Sequence, residues 1–472
     1  MFMRGPALSR LSAALSLAVV VAACSDSVTS TPTSPSDRHF APTMSRVAVP
    51  TSGEHVFLMR GNVPADFTAR VAAVGGSVMS SMTEIGVVVT TGLSDADATA
   101  LAGSDSVAPD YVGQWIQPGE IQVAESSPPT LADATSAQPP LQAQFLPFQW
   151  NMFQINAPAA WAKKTGIPRV KVAILDSGLD PDHLDQGGAP FGVPSTIDAD
   201  KSIAFVPTTS PTGPPWTDDF FHGTFVGATV TSNNFGTAGV APNVKLIAVK
   251  VLGANGSGPV GAVIAGIYYA TMAGAQVINM SLGLQVRRND PGAQVVISAF
   301  TRAVNFAQRH GVLVVSAAGN ESTNLRPRNV VELPCEAGFQ LCVSATGAGN
   351  TFASYSNFGL GAIDVAAPGG DGSFSTSRWI MGPCSSHSTD PALAICKDGL
   401  HYIFATGTSA SAPHVSGLGA YLDSQFGGRL GAFDLVLRIE GNADDLGPRG
   451  FDGRFGFGQI NVFNTLSPRH FW

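Results

Sequence analysis

Between residues 170 and 316, short apolar runs alternate with helix-patterned segments, and that alternation restricts the fold more than any other feature of the chain. The runs at 170–175, 244–251, 277–280 and 312–316 read as buried strands. The stretches at 223–232, 261–273 and 295–309 carry helical spacing. Strands separated by helices cannot pair through tight turns. They imply right-handed crossovers and a parallel sheet covered by helices on both faces, an α/β class. In such a sheet, sites form where strand C-terminal ends meet helix N-termini.

Three segments fall in such places. Ile174-Leu175-Asp176-Ser177-Gly178 ends the first strand. His222-Gly223-Thr224 opens one helix, and Gly407-Thr408-Ser409-Ala410-Ser411-Ala412-Pro413 opens another. A serine hydroxyl is a weak nucleophile near neutral pH and needs a base within reach. An imidazole serves when a carboxylate holds its tautomer. Each segment alone has a plainer reading: an aspartate ending a strand is a common turn or cap residue, and Pro413 is tolerated in a first helical turn. Together, in the order Asp, His, Ser, they point to acyl transfer through a triad. An α/β-hydrolase elbow would need glycine where Ser411 stands, and its triad order differs.

In these segments and their order the chain resembles the subtilisin-like serine endopeptidases. The resemblance implies Ser409 as nucleophile, His222 as general base and Asp176 as the carboxylate that orients it. Val314-Val315-Ser316-Ala317-Ala318-Gly319-Asn320 is similar to the family's oxyanion segment, which makes Asn320 a donor beside the Ser409 N–H. Ser281-Leu282-Gly283 and Gly256-Ser257-Gly258 resemble the two edges that grip an extended peptide through its main chain. The primary pocket is then bounded by Ser281, Leu282 and Gly283 and by Ala317, Ala318 and Gly319. No charge is visible at its floor, which implies an apolar or broad preference. Phe225 stands where the family often has a second histidine, Ala410 where methionine is frequent, and Ser177 where threonine is common. His414 reads as a buried structural residue.

Upstream, residues 55–60, 76–82, 86–90 and 112–116 read as strands. Residues 64–74, and a segment capped by Ser94, read as helices. This is the ferredoxin-like split order, and its place before a protease resembles the family's inhibitory propeptide. The expected organisation is a signal peptide at 1–23, a tether at 24–50 and a propeptide domain at 51–117. A linker with the processing site at 118–148 and a catalytic domain at 149–472 complete it. Residues 150–161 resemble the opening of the family's catalytic domains.

At the N-terminus, Arg4 and Arg10 accompany an apolar run, 11–23, that is short for a bilayer span. Val21-Ala22-Ala23-Cys24 resembles a bacterial lipobox, in which Cys24 carries lipid; ordinary signal cleavage is the alternative. Five cysteines are an odd number for an exported protein, and lipidation of Cys24 leaves four to pair. Cys335 with Cys342, and Cys384 with Cys396, are expected as disulfides. A zinc site involving His387 and His401 is the alternative, although neither cysteine pair has C-x-x-C spacing. Export from a bacterial cell is expected, with a lipid-anchored precursor and a periplasmic or extracellular catalytic domain.

The formal net charge of −8, without a basic tract, excludes nucleic acid as a partner. The expected partners are polypeptide substrates and the chain's own propeptide, and the expected state is a monomer. The chemistry requires no cofactor. Calcium is common in the family, and Asp180-Pro181-Asp182 and Asp218-Asp219 offer oxygen ligands without an EF-hand loop. A degenerate, purely binding relative would lack a triad member, and a serine–carboxyl peptidase would not use His222. All three triad residues are present.

Overall fold

The computed structural model describes residues 49–116, 122–123, 136–326, 329–372 and 375–466. The signal peptide, most of the tether, Cys24 and residues 124–135 of the linker lie outside them. An N-terminal antiparallel sheet contains β1 (Val49–Leu58), β2 (Ser77–Met82), β3 (Val87–Thr91) and β4 (Ser106–Gln114), in the order β2-β3-β1-β4. Helices α1 (Phe67–Ala73) and α2 (Asp95–Ala102) connect them. Ser94 Oγ accepts the Asp97 N–H at 3.1 Å and caps α2. The last strand starts earlier than the 112–116 expected from the sequence. Its antiparallel pairing with β1 places Leu58 opposite Ser106 and Val56 opposite Ala108, while Pro109 and Asp110 hide the strand from an apolar pattern.

Period-two alternation gives this sheet two buried faces. Phe57 and Val88 join Phe67, Val71 and Ala98 in a small core beneath α1 and α2. Their neighbours Val56, Val87 and Val89 face the other way, into the large core of the rest of the chain.

The remainder begins with β5 (Gln122–Val123), α3 (Trp150–Gln154), α4 (Ala157–Trp161), β6 (Lys171–Asp176), β7 (Ile203–Ala204) and α5 (His222–Val230). Next come β8 (Lys245–Lys250), β9 (Ser257–Pro259), α6 (Val260–Met272), β10 (Val277–Met280), β11 (Leu284–Arg287) and α7 (Ala293–Arg309). The last stretch holds β12 (Leu313–Ala317), β13 (Val330–Leu333), β14 (Leu341–Thr346), β15 (Val365–Pro368), β16 (Ile380–Pro383), β17 (Tyr402–Ala405), α8 (Thr408–Gln425) and α9 (Ala432–Gly441). Seven strands form one parallel sheet in the order β15-β14-β12-β10-β6-β8-β7.

Helices α5 and α9 pack on α8, and α6 packs on α7. Strands β10, β6 and β8 are apolar and almost wholly buried, as parallel strands covered on both faces must be. The N-terminal sheet rests on α6 and α7. Helix α6 has no side-chain cap of its own, and both carboxylate oxygens of Asp110 accept the Gly261 N–H, at 3.0 and 3.1 Å. Arg302 Nη1 donates to the carbonyls of Met59 and Ile85 at 2.6 and 2.9 Å.

Candidate active site

Asp176 is the last residue of β6, beside the sheet's central strand β10, and His222 is the first of α5. Both side chains are buried, and His222 Nδ1 lies 2.9 and 3.0 Å from the two oxygens of Asp176. Asp176 Oδ1 also accepts the Ser177 N–H at 2.7 Å. The other ring nitrogen, Nε2, makes no hydrogen bond among the described residues. It is the nitrogen left to exchange a proton.

Ser177 keeps the hydroxyl expected beside Asp176 and uses it as a bridge. Its Oγ donates to Asp218 Oδ1 at 2.8 Å and accepts the Gly223 N–H at 3.0 Å, tying the Asp176 loop to the start of α5. Asp218 also accepts the Thr224 N–H and hydroxyl at 2.9 and 2.6 Å. Burial pushes its carboxyl up to about 6, although those hydrogen bonds and Lys250 pull the other way. Lys250 is fully buried; it donates to the Ser177 carbonyl at 2.5 Å and to Asp219 Oδ1 at 2.6 Å. Burial alone would raise the Asp219 carboxyl, but Lys250 and Thr209 outweigh it and hold it below the usual range. Lys250 escaped the sequence reading, whose only signal for it was a lysine ending an apolar strand, and Asp218 and Asp219, read there as possible calcium ligands, instead join this network.

Ser409 is the second residue of α8 and is half-buried. Gly407 has φ +152°, and a Cβ there would stand 2.9 Å from Ser409 Oγ and 3.5 Å from Asn320 Nδ2. Glycine is needed at that approach. Asn320 lies just beyond β12, the strand next to β10. Its Oδ1 accepts the Thr408 N–H at 2.8 Å and the Thr408 hydroxyl at 2.9 Å, which fixes Nδ2 as the free donor end. The Thr408 hydroxyl oxygen in turn accepts the Gly319 N–H at 3.1 Å. Thr408 is therefore the positioning residue for Asn320, a role its place in the motif did not disclose.

His414 is buried, with Nε2 taking the Asn151 amide at 2.8 Å and Nδ1 at 2.8 Å from the Ala410 carbonyl. Burial pushes it down to about 4, so it is neutral near pH 7. It is structural, as the sequence suggested.

The two expected peptide-gripping edges lie on either side of one extended segment, and that segment belongs to this chain. Residues 112–114 pair antiparallel with β9, with Gly113 opposite Gly258 and Gln114 opposite Ser257. The N–H groups of Trp115 and Ile116 both donate to the Gly256 carbonyl at 3.1 Å, and the Gly283 N–H donates to the Trp115 carbonyl at 3.2 Å. The Trp115 indole is buried and donates to the Gly258 carbonyl at 2.8 Å. Farther along, Gln122 and Val123 pair with Phe404 and Ile403 of β17, the strand that leads into Gly407 and Ser409. Leu282 is buried beneath the edge, and Ser281 Oγ accepts the Asn279 amide at 3.0 Å. Ala317 ends the neighbouring strand, β12, and Ala318 and Gly319 follow it.

Residues 168–458 match the subtilase family model. The chain belongs to the subtilase family. Among curated relatives, this subtilase is 33% identical over 311 residues to an alkaline protease of Alkalihalobacillus alcalophilus, covering 65% of this chain and 67% of that one. It is 34% identical to Subtilisin Savinase of Lederbergia lenta, covering 59% and 84%. It is 32% identical to Thermitase of Thermoactinomyces vulgaris, covering 67% and 95%. Its fold matches the epidermin leader peptide processing serine protease of Staphylococcus aureus with a TM-score of 0.67 at 22% identity, covering 89% of this chain and 99% of that one. The protein is a subtilisin-like serine endopeptidase.

The cysteines pair as expected: Cys335 with Cys342 and Cys384 with Cys396, at Cα separations of 5.0 and 5.9 Å. Zinc is thereby denied its thiolates. His401 bonds Asp398 at 2.8 Å. His387 instead meets Asp180 and Asp182, the three offering ligand atoms within 4.8 Å of one another. Imidazole in that set suits a transition metal better than calcium. The second suggested calcium pair does not fit, because Asp218 and Asp219 are committed to Ser177, Thr224 and Lys250.

Proposed function

We propose that this subtilase is the self-processing precursor of an exported endopeptidase, with Asp176, His222 and Ser409 as its triad. Ser409 Oγ attacks the scissile carbonyl while His222 Nε2 takes its proton. The negative charge that forms on the carbonyl oxygen is held by Asn320 Nδ2 and the Ser409 N–H. The proton then passes to the leaving amine, and water repeats the sequence to release the acyl group. Asp176 keeps the ring's other proton on Nδ1 and stabilises the imidazolium. No cofactor enters any step.

The observation that carries this reading is the chain's own segment 112–116, hydrogen-bonded between Gly256–Gly258 and Gly283 where a substrate backbone would lie. The N-terminal sheet acts as a tethered inhibitor until the linker is cut. Lipid on Cys24 would sit upstream of that cut, so processing would release the catalytic domain from the membrane.

The test is expression of wild type beside Ser409→Ala in a host free of other proteases, followed by intact mass, N-terminal sequencing and membrane fractionation. Wild type is expected to yield a soluble fragment starting within the linker, and Ser409→Ala to stay full length in the membrane fraction. Equal maturation of the two would remove Ser409 as the processing nucleophile. A fully processed domain that stays membrane-bound without its N-terminal part would remove the anchor-release step.

Asn320→Ala is expected to slow precursor cleavage by about 10²–10³-fold, the usual loss for one oxyanion donor. The rate is read by intact mass over time. A loss under threefold would remove Asn320 from that role.

A further inference from the structure

We propose that Asp180, Asp182 and His387 bind a zinc ion that clamps the loop after Asp176 to the loop closed by the Cys384–Cys396 disulfide. Each residue offers one ligand atom, and those atoms lie within 4.8 Å of one another. His387 Nε2 is 2.8 Å from Asp182 Oδ2 and 3.7 Å from Asp180 Oδ1. Ligand atoms held tetrahedrally by zinc at about 2.0–2.2 Å stand about 3.4 Å apart, between those two distances. Shifts of about 0.3–0.6 Å in these contacts would therefore seat the ion.

A second observation, from a residue outside the ligand set, shows that Nε2 needs a cation. Ser210 Oγ carries one proton, which it donates to the Thr212 carbonyl at 2.8 Å. The same oxygen lies 2.9 Å from His387 Nδ1, so it must accept there, and the ring's first proton is fixed on Nδ1. In the neutral imidazole, Nε2 then points a lone pair at the Asp182 carboxylate, 2.8 Å away. Two electron pairs so placed repel unless a proton or a metal ion lies between them. His387 is only 8% exposed and Asp180 is fully buried, so solvent does little to relieve the charge. One proton balances one of the two carboxylates, whereas a divalent ion balances both.

The surroundings hold the ligands as a metal site requires. A hydroxyl on the far ring nitrogen orients His387 toward the ion. Asp180 Oδ1 accepts the Asp182 and His183 N–H groups at 2.7 and 3.1 Å, and Oδ2 accepts the Ser386 N–H at 2.6 Å. A cavity of about 470 Å³ opens beside the site, lined by Asp182, Ser210, Thr212, His387, Lys397 and Asp398. It gives the ion a path of entry and leaves room for water as a fourth ligand. One imidazole and two carboxylates in this spacing suit zinc, whereas calcium gathers about six to eight oxygens. The cysteines take no part, since both pairs are disulfides. Asp180 and Asp182 lie just after Asp176, and His387 lies between Cys384 and Cys396, so the ion would cross-link two segments that are distant in sequence.

The experiment uses the full chain without an affinity tag, stripped of metal and dialysed against micromolar zinc, with bound metal counted by elemental mass spectrometry. Wild type is expected to retain one zinc ion that Asp182→Asn and His387→Gln bind at least about 10²-fold more weakly. Asp182 is the decisive position, because its side chain is 42% exposed and its replacement should leave the metal-free melting temperature within about 2 °C of wild type. Zinc should raise the wild-type melting temperature by at least about 3 °C, with no such rise in either variant or with calcium. Cobalt(II) in place of zinc should give the visible absorption of a four-coordinate ion in wild type alone. Equal zinc in wild type and both variants would place the metal elsewhere, at His222 for example, and overturn the proposal. No retained zinc would also overturn it, leaving His387 as an imidazolium paired with Asp182, and so would equal stabilisation by calcium.

Discussion

Replacing His222 by alanine is expected to slow the precursor's own cleavage by about 10⁶-fold, the size of loss measured when the base is removed from a subtilisin. Without an acceptor for its proton, the Ser409 hydroxyl stays a neutral alcohol. What remains is the Asn320 and Ser409 N–H pair and the held peptide, together worth about 10³–10⁴ over water. The precursor is a suitable reporter because residues 112–116 already lie in the cleft, so the loss is read in the chemical step rather than in binding. Intact mass against time gives the rate, and failure of Ser409 to take a fluorophosphonate label gives an independent readout. Processing of His222→Ala at near the wild-type rate would mean that another group accepts the proton. His414 is not that group, since burial holds it neutral and both of its ring nitrogens are occupied.

The proposed triad positions stand out in the sequence because each lies in a short segment whose chemistry is local. Asp176 ends an apolar strand, His222 and Ser409 open helices, and Asn320 follows a strand by three residues. The parallel sheet was legible for a similar reason, since continuous apolar runs can only be buried on both faces. What escaped was brought together by pairing between distant segments. Glu332 comes against Gly283 and Gly319 because β13 pairs with β11, and nothing within residues 330–333 announces that partner. Lys250 looks like an ordinary charged strand end until the Ser177 carbonyl and Asp219 meet it across the β6–β8 edge. The β4 boundary was misplaced because Pro109 and Asp110 interrupt its pattern, yet Asp110 is there to cap α6. Local readings fail where a residue serves an element other than its own.

Asp176→Asn is expected to cost about 10⁴-fold in the rate of the chemical step while leaving the fold in place. The carboxylate offers His222 Nδ1 two acceptor oxygens, at 2.9 and 3.0 Å. An amide of the same shape offers one acceptor, and its NH₂ can donate to Nδ1 instead. That hydrogen bond favours the tautomer with the proton on Nε2, which cannot take a proton from Ser409. The loop itself should not move. Ser177 still bridges Asp218 and Gly223, and Lys250 still ties the Ser177 carbonyl to Asp219. Precursor cleavage should therefore fall by about four orders of magnitude with a melting temperature close to that of wild type, whereas a positional disturbance would lower both. A loss below tenfold would show that His222 keeps its working tautomer without Asp176, and the orienting role would have to pass to another group.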